Sequence, residues 1–113
     1  MKCLTLNIQK RLFKALSSIQ MILSQYSIDV LFLQEVDIKD GEIPPLLDGY
    51  KNFHHTNRAG VIRCITYIRN ELGATKLAWE DDMPVVIIQI KMCQLLIYTM
   101  NFLYTVTETR VLN

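Results

Sequence analysis

The sequence predicts an α/β fold: a mostly antiparallel sheet with one helix packed against it. Two observations carry this. An apolar run over residues 3–8, an amphipathic stripe over 10–26 and a second apolar run over 30–33 follow in the order of a strand, a helix and a strand. After Gly60 the hydrophobic pattern changes to short apolar runs separated by turn residues, the signature of successive strands.

Each element has its reason. Cys3-Leu4-Thr5-Leu6-Asn7-Ile8 is a short apolar strand interrupted by a single amide. From Lys10 to Tyr26, the residues Leu12, Leu16, Ile19, Leu23 and Tyr26 recur at helical spacing, with Phe13 and Ile22 widening the stripe; Lys10, Lys14, Ser18 and Gln25 fall off it. Val30-Leu31-Phe32-Leu33 is apolar without alternation, which predicts a central strand covered on both faces and parallel to the first. Asp40-Gly41, Pro44-Pro45 and Asp48-Gly49 mark a loop of successive turns. Strands are then expected over 61–69, 75–80, 85–90 and 95–104, joined as an antiparallel meander.

Composition narrows the function. At 113 residues, half of them apolar, the chain suffices for one domain with a core of its own. A formal charge of +1 argues against a broad basic platform for nucleic acid, while leaving local phosphate contacts open to Arg58, Arg63, Arg69 or the Lys10-Arg11 pair. Cys3, Cys64 and Cys93 are odd in number and far apart, so neither a disulfide framework nor a zinc motif is indicated; they read as small core residues. A reducing compartment, cytoplasmic or nuclear, is expected, with no secretory leader and no membrane span.

The chemistry centres on Asn7 and Glu35, each at the end of an apolar strand. A buried unpaired carboxylate costs several kcal/mol, roughly, so Glu35 requires a cation, donors or a solvent-lined strand end. In open sheets of this class, ligands bind beyond the carboxyl ends of strands, and parallel pairing would bring Asn7 to the same edge as Glu35. One carboxylate and one amide suit Mg²⁺ or Mn²⁺, hard ions that complete their shells with water and substrate phosphate. Dinucleotide binding is excluded, because Ile8-Gln9-Lys10 offers no glycine for a pyrophosphate.

Leu6-Asn7-Ile8 on the first strand, the amphipathic helix, Asp29-Val30-Leu31-Phe32-Leu33-Gln34-Glu35 and a strand opening at Gly60-Val61 together resemble the endonuclease/exonuclease/phosphatase superfamily, and within it the endonuclease domains of non-LTR retrotransposons. The resemblance implies a β-sandwich flanked by helices and hydrolysis of nucleic-acid phosphodiesters, DNA above all, dependent on Mg²⁺. It places Asn7 and Glu35 in the metal and phosphate site. It also implies that residues 1–113 correspond to the first half of the family's domain. The Asp-x-Asn pair and the Ser-Asp-His motif that supply the base and a phosphate donor have no counterpart, since no Asp follows Asp82 and no His follows His55. Leu103 stands where the family offers a tyrosine, and Tyr104 is one residue out of register.

The alternative is a non-catalytic interaction module, or the remnant of a decayed retroelement. With strands for little more than one sheet, such a chain would leave a sheet face bare and self-associate through 85–90 and 95–103. The remaining candidates are weaker. Arg58, before Ala59-Gly60, could meet a phosphate or be an ordinary loop arginine. His54 and His55 are neighbours with no reason to converge on a metal, and Asp81-Asp82 reads as a solvated turn.

Overall fold

A computed structural model of the protein describes the backbone of residues 2–39, 41–80, 85–90, 93–98 and 104–108, and the side chains of 2–39 and 41–76. The elements in order are β1 (Cys3–Asn7), α1 (Leu12–Tyr26), β2 (Val30–Ile38), β3 (Tyr50–Thr56), β4 (Ile62–Arg69), a single 3₁₀ turn (Asn70–Leu72), β5 (Thr75–Glu80), β6 (Val85–Ile90), β7 (Cys93–Tyr98) and β8 (Tyr104–Glu108). They form two four-stranded sheets, ordered β1-β2-β4-β3 and β5-β6-β7-β8. The α/β class is as expected from the sequence, but there are two sheets instead of one.

β1 and β2 pair in parallel, with Asn7 opposite Gln34, as a strand-helix-strand unit requires. β2 is central, and Val30, Leu31, Phe32, Leu33 and Gln34 are all buried. The lack of alternation therefore has the meaning expected of it. On one face Leu31 and Leu33 stand opposite Tyr67 and Ile65 of β4 and pack with Leu12, Ile19 and Leu23 of the helix. Burying each such aliphatic side chain contributes about 1.5–3 kcal/mol. On the other face Val30, Phe32, Phe53 and Ile68 are buried away from the helix, and β3 lies against β6 of the second sheet. The first sheet is thus buried on both faces, while the side chains of 85–90 and 95–103, where the sequence predicts a bare face, lie outside the described residues.

The helix begins two residues later than its periodicity predicts. Lys10 has φ +63° and Arg11 occupies the N-cap without a side-chain cap. Its core stripe is narrower too: Phe13 and Tyr26 are 58% and 55% exposed, while Leu12, Ile19 and Leu23 are buried. At the far end Ser27 takes the left-handed conformation usual for glycine, and its N–H donates to Leu23 O.

Two further departures concern strands. β3 has no counterpart in the sequence prediction, because Lys51, Asn52, His54 and His55 hide the pattern of a strand whose single buried residue is Phe53. It is an edge strand held by its ladder to β4, where cross-strand pairing overrides a polar sequence. β4 is consequently the partner of β2 and β3, and the meander starts at β5. The predicted single strand over 95–104 is instead β7 and β8, which pair antiparallel. The register aligns Val86, Ile88 and Ile90 with Ile97, Leu95 and Cys93, and Val85, Ile87 and Gln89 with Tyr98, Leu96 and Gln94. Asp81, Asp82 and Leu103 lie outside the described residues.

The 41–49 segment is pinned. Leu47 is buried, the Tyr67 hydroxyl donates to Pro45 O at 2.6 Å, and Asn70 N–H donates to Gly49 O. The amino end of the sheet is tied by Asp29, which accepts from Lys2 N–H at 2.8 Å and lies 3.5 Å from Arg69 Nη1, while Arg69 Nη2 donates to Ile28 O at 3.0 Å. The Tyr50 hydroxyl donates to the same Ile28 carbonyl.

The narrower helix stripe gives a stability prediction. Leu23→Ala should lower the unfolding free energy by about 2–5 kcal/mol, and Phe13→Ala should change it by less than about 0.5 kcal/mol. Urea denaturation of the two variants beside the parent chain measures both.

Candidate metal and phosphate site

The site lies at the carboxyl edge of β1 and β2. Parallel pairing carries Asn7 to the level of Gln34, and two backbone hydrogen bonds continue the contact beyond the ladder: Ile8 N–H to Gln34 O at 2.9 Å and Lys10 N–H to Glu35 O at 2.8 Å. Asn7 and Glu35 are both exposed. Glu35 follows the buried Gln34 because β2 bulges there: its register with β4 lapses between Gln34 and Ile38, and both Glu35 and Asp37 have positive φ, at 55° and 46°. Glu35 therefore stands exposed at the bulge, between the buried Gln34 and Val36, which is how this carboxylate avoids the cost of burial.

Four of the five non-glycine residues with positive φ, namely Gln9, Lys10, Glu35 and Asp37, gather at this edge, and Ser27 at the helix end is the fifth, among the described residues. Each left-handed residue costs roughly 1–2 kcal/mol. Such strain concentrates where the surrounding structure dictates a conformation for another purpose.

Asn7 shapes the turn that leaves β1. Its Oδ1 accepts the Gln9 N–H at 3.0 Å, an Asx-type turn that holds the side chain in place. The side-chain NH₂ then remains as the donor it can offer a phosphate oxygen, and Oδ1 keeps a second lone pair. The helix amino terminus follows at once, carrying Lys10 and Arg11 and no acidic residue in its first turn. Helix dipole and basic side chains are of one sign here, an arrangement that disfavours the helix slightly and favours an anion.

The sequence reading overlooked Asp37. Its Oδ2 lies 3.3 Å from Lys10 Nζ, so a second carboxylate stands two residues from Glu35. Its signal was the Glu-x-Asp spacing at the end of a central strand. Cys64 of β4 faces the same place. Burial pushes its thiol up to about 11 against an ordinary 9.0, a hydrogen bond with the Glu35 backbone works the other way, and the Asp37 carboxylate adds to the rise. A thiol neutral to that pH is neither a nucleophile nor a thiolate ligand at pH 7. Cys3, expected in the core, is exposed on the edge strand β1.

Arg58 sits in the turn between β3 and β4 and is exposed. Since Ile62 pairs with Ile38, that hairpin turn lies at the same end of the sheet as Glu35. The shared end is as close as the topology brings it to Asn7 and Glu35. His54 and His55 belong to β3, and no group of three or more His, Cys, Asp or Glu side chains converges as a metal cage among the described residues. His54 Nδ1 lies 3.1 Å from Asn52 Oδ1, and the Lys76 ammonium donates to His54 O at 3.1 Å.

Carboxylate and amide oxygens are the ligand type of hard divalent ions, unlike the sulfur and nitrogen sites of zinc.

One sheet edge thus carries an exposed carboxylate, an amide fixed by its own turn and a helix amino terminus. Residues 4–105 match the endonuclease/exonuclease/phosphatase family, and the chain belongs to it. Members are metal-dependent phosphodiesterases, nucleases or phosphatases that generally use divalent ions. Searches of curated proteins and of solved structures found no match. No helix among the described residues is long and apolar enough to cross a membrane.

His54 supplies a pH prediction. Burial lowers its pKa below the usual 6.5, and the neighbouring Lys76 and His55 lower it further. A depressed pKa means the stability is present above 6.5 and is lost as pH falls through the lower folded-state value. Denaturation midpoints should therefore drop between pH 7 and pH 5, and His54→Gln should flatten that dependence.

Proposed function

We propose that the chain provides the metal and phosphate half of a Mg²⁺-dependent (or Mn²⁺-dependent) endonuclease acting on DNA phosphodiesters. The observation that carries this is the hydrogen-bonded junction of β1 and β2, with Asn7 and Glu35 at one solvent-lined edge beside the helix amino terminus. Glu35 holds the ion. The Asn7 amide donates to a phosphate oxygen, and its carbonyl lone pair is within the same oxygen-rich set. Arg58, at the same sheet end, meets the nucleic-acid backbone. When bound, the divalent ion neutralises charge on the scissile phosphate and lowers the pKa of water.

The base for in-line attack is not among the residues at this edge in our reading. We place it in a further segment bearing an Asp and a His, because the sequence holds no Asp beyond Asp82 and no His beyond His55. Base catalysis contributes about 10²- to 10⁴-fold. The same absence favours the second reading, a non-catalytic interaction module descended from a retroelement endonuclease. Self-association belongs to both readings, but β6 and β7, through which the sequence predicts it, pair within the second sheet, which leaves its edges β5 and β8 as the pairing templates. The thiols suit a reducing compartment.

Two measurements test this. Millimolar Mn²⁺ should broaden NMR signals of Glu35 and Asn7 before those of His54 and His55; the reverse order would sink the site assignment. In a plasmid-nicking assay with Mg²⁺, the chain alone should be at least about 10²-fold slower than the same chain supplied with the base-bearing segment. Vigorous nicking by the chain alone, abolished by Glu35→Ala, would overturn the missing-base proposal.

A further inference from the structure

We propose that the Lys10–Asp37 ion pair is a latch fixing the position of Glu35 relative to Asn7, which makes Asp37 a positioning residue of this edge. The inference rests on the function proposed above only for what that position serves. Its physical basis is a gap in the ladders. β1 and β2 are in register as far as Asn7 and Gln34, and β2 and β4 as far as Gln34 and Cys64, resuming at Ile38 and Ile62. Residues 35–37 fall between these limits. The Lys10 N–H that donates to Glu35 O at 2.8 Å is the backbone link across the gap, and the Lys10 ammonium 3.3 Å from Asp37 is the side-chain link between the same two segments. One residue of β1's exit turn thus holds β2 on both sides of Val36, by its backbone and by its side chain.

The hold matters because the segments it joins oppose it. Gln9, Lys10, Glu35 and Asp37 all have positive φ, and left to themselves each would relax toward the β region. Relaxation at Glu35 or Asp37 re-aims the Glu35 side chain, since a strand that gives up a bulge turns its residues toward the other face. Lys10 is 73% exposed and Asp37 26%, so the pair is of modest strength. Such a tie adds to the backbone hydrogen bond beside it, and it is one that salt weakens.

The test uses the ¹⁵N-labelled chain with Asp37→Asn, Lys10→Met, both together, and the charge swap Lys10→Asp with Asp37→Lys. The first readout is hydrogen exchange of the Lys10 amide. Each single variant should accelerate it about two- to five-fold, the size expected for a part-exposed pair. The double variant should add nothing further, and the swap should restore protection. The Ile8 amide, one step inside, should stay unchanged. Unaltered Lys10 exchange in Asp37→Asn, or effects that add in the double variant, overturn the latch. The second readout is the Mn²⁺ concentration that half-broadens the Glu35 signal. Removing a positive charge near a cation site should by electrostatics alone strengthen binding, so weaker binding in Lys10→Met supports positioning and stronger binding overturns it. Absence of Mn²⁺ broadening at Glu35 in the parent chain would defeat the metal reading separately, and the exchange data would still decide the latch.

Discussion

The parallel pairing of β1 with a doubly covered β2 is the constraint on which the rest depends. It requires a crossover, which is α1, and the helix in turn must bury its stripe against the face carrying Leu31 and Leu33. The opposite face, with Val30 and Phe32, is buried as well, and β3 lies against β6 of the second sheet. Because both strands run the same way, their carboxyl ends share one edge. The polar residues that cannot enter the core, Asn7 and Glu35, are delivered there by the same geometry that buries their neighbours.

The two ends of the first sheet have been put to different uses. At the amino end, Asp29, Arg69, Lys2 and Tyr50 saturate one another and the Ile28 carbonyl, a closed arrangement suited to holding chain segments together. At the carboxyl end Asn7 and Glu35 are exposed, the backbone is strained at four non-glycine residues, and Lys10 beside the helix terminus pairs with Asp37. Conformations that cost energy persist where the surrounding structure over-determines them.

Legibility followed burial. The unbroken apolar run 30–33 and the helical stripe were readable because core packing writes itself into periodicity, and the same runs exposed Asn7 and Glu35 as exceptions. β3 was not readable. Its place on an edge, held by backbone bonds to β4, asks little of its side chains. The hairpin signal was nevertheless present in Asn57-Arg58-Ala59-Gly60 between two seven- to eight-residue segments, where Gly60 supplies a φ of +77° and Asn57 Oδ1 accepts the Val61 N–H. Phe13 and Tyr26 were assigned to the core by spacing alone, though the direction in which a helix leans on its sheet is a tertiary matter.

By itself the sequence determined the strand-helix-strand unit, its central strand and the two polar residues at the strand ends, because each of these follows from local periodicity and from the cost of burying polar groups. Only the tertiary structure decided that β4 inserts between β2 and β3, that β2 bulges after Gln34, and that Asp37 meets Lys10. Those outcomes depend on pairing between segments distant in the chain, and backbone hydrogen bonds are nearly indifferent to side-chain identity, so the pattern of residues along one strand carries little record of its neighbour.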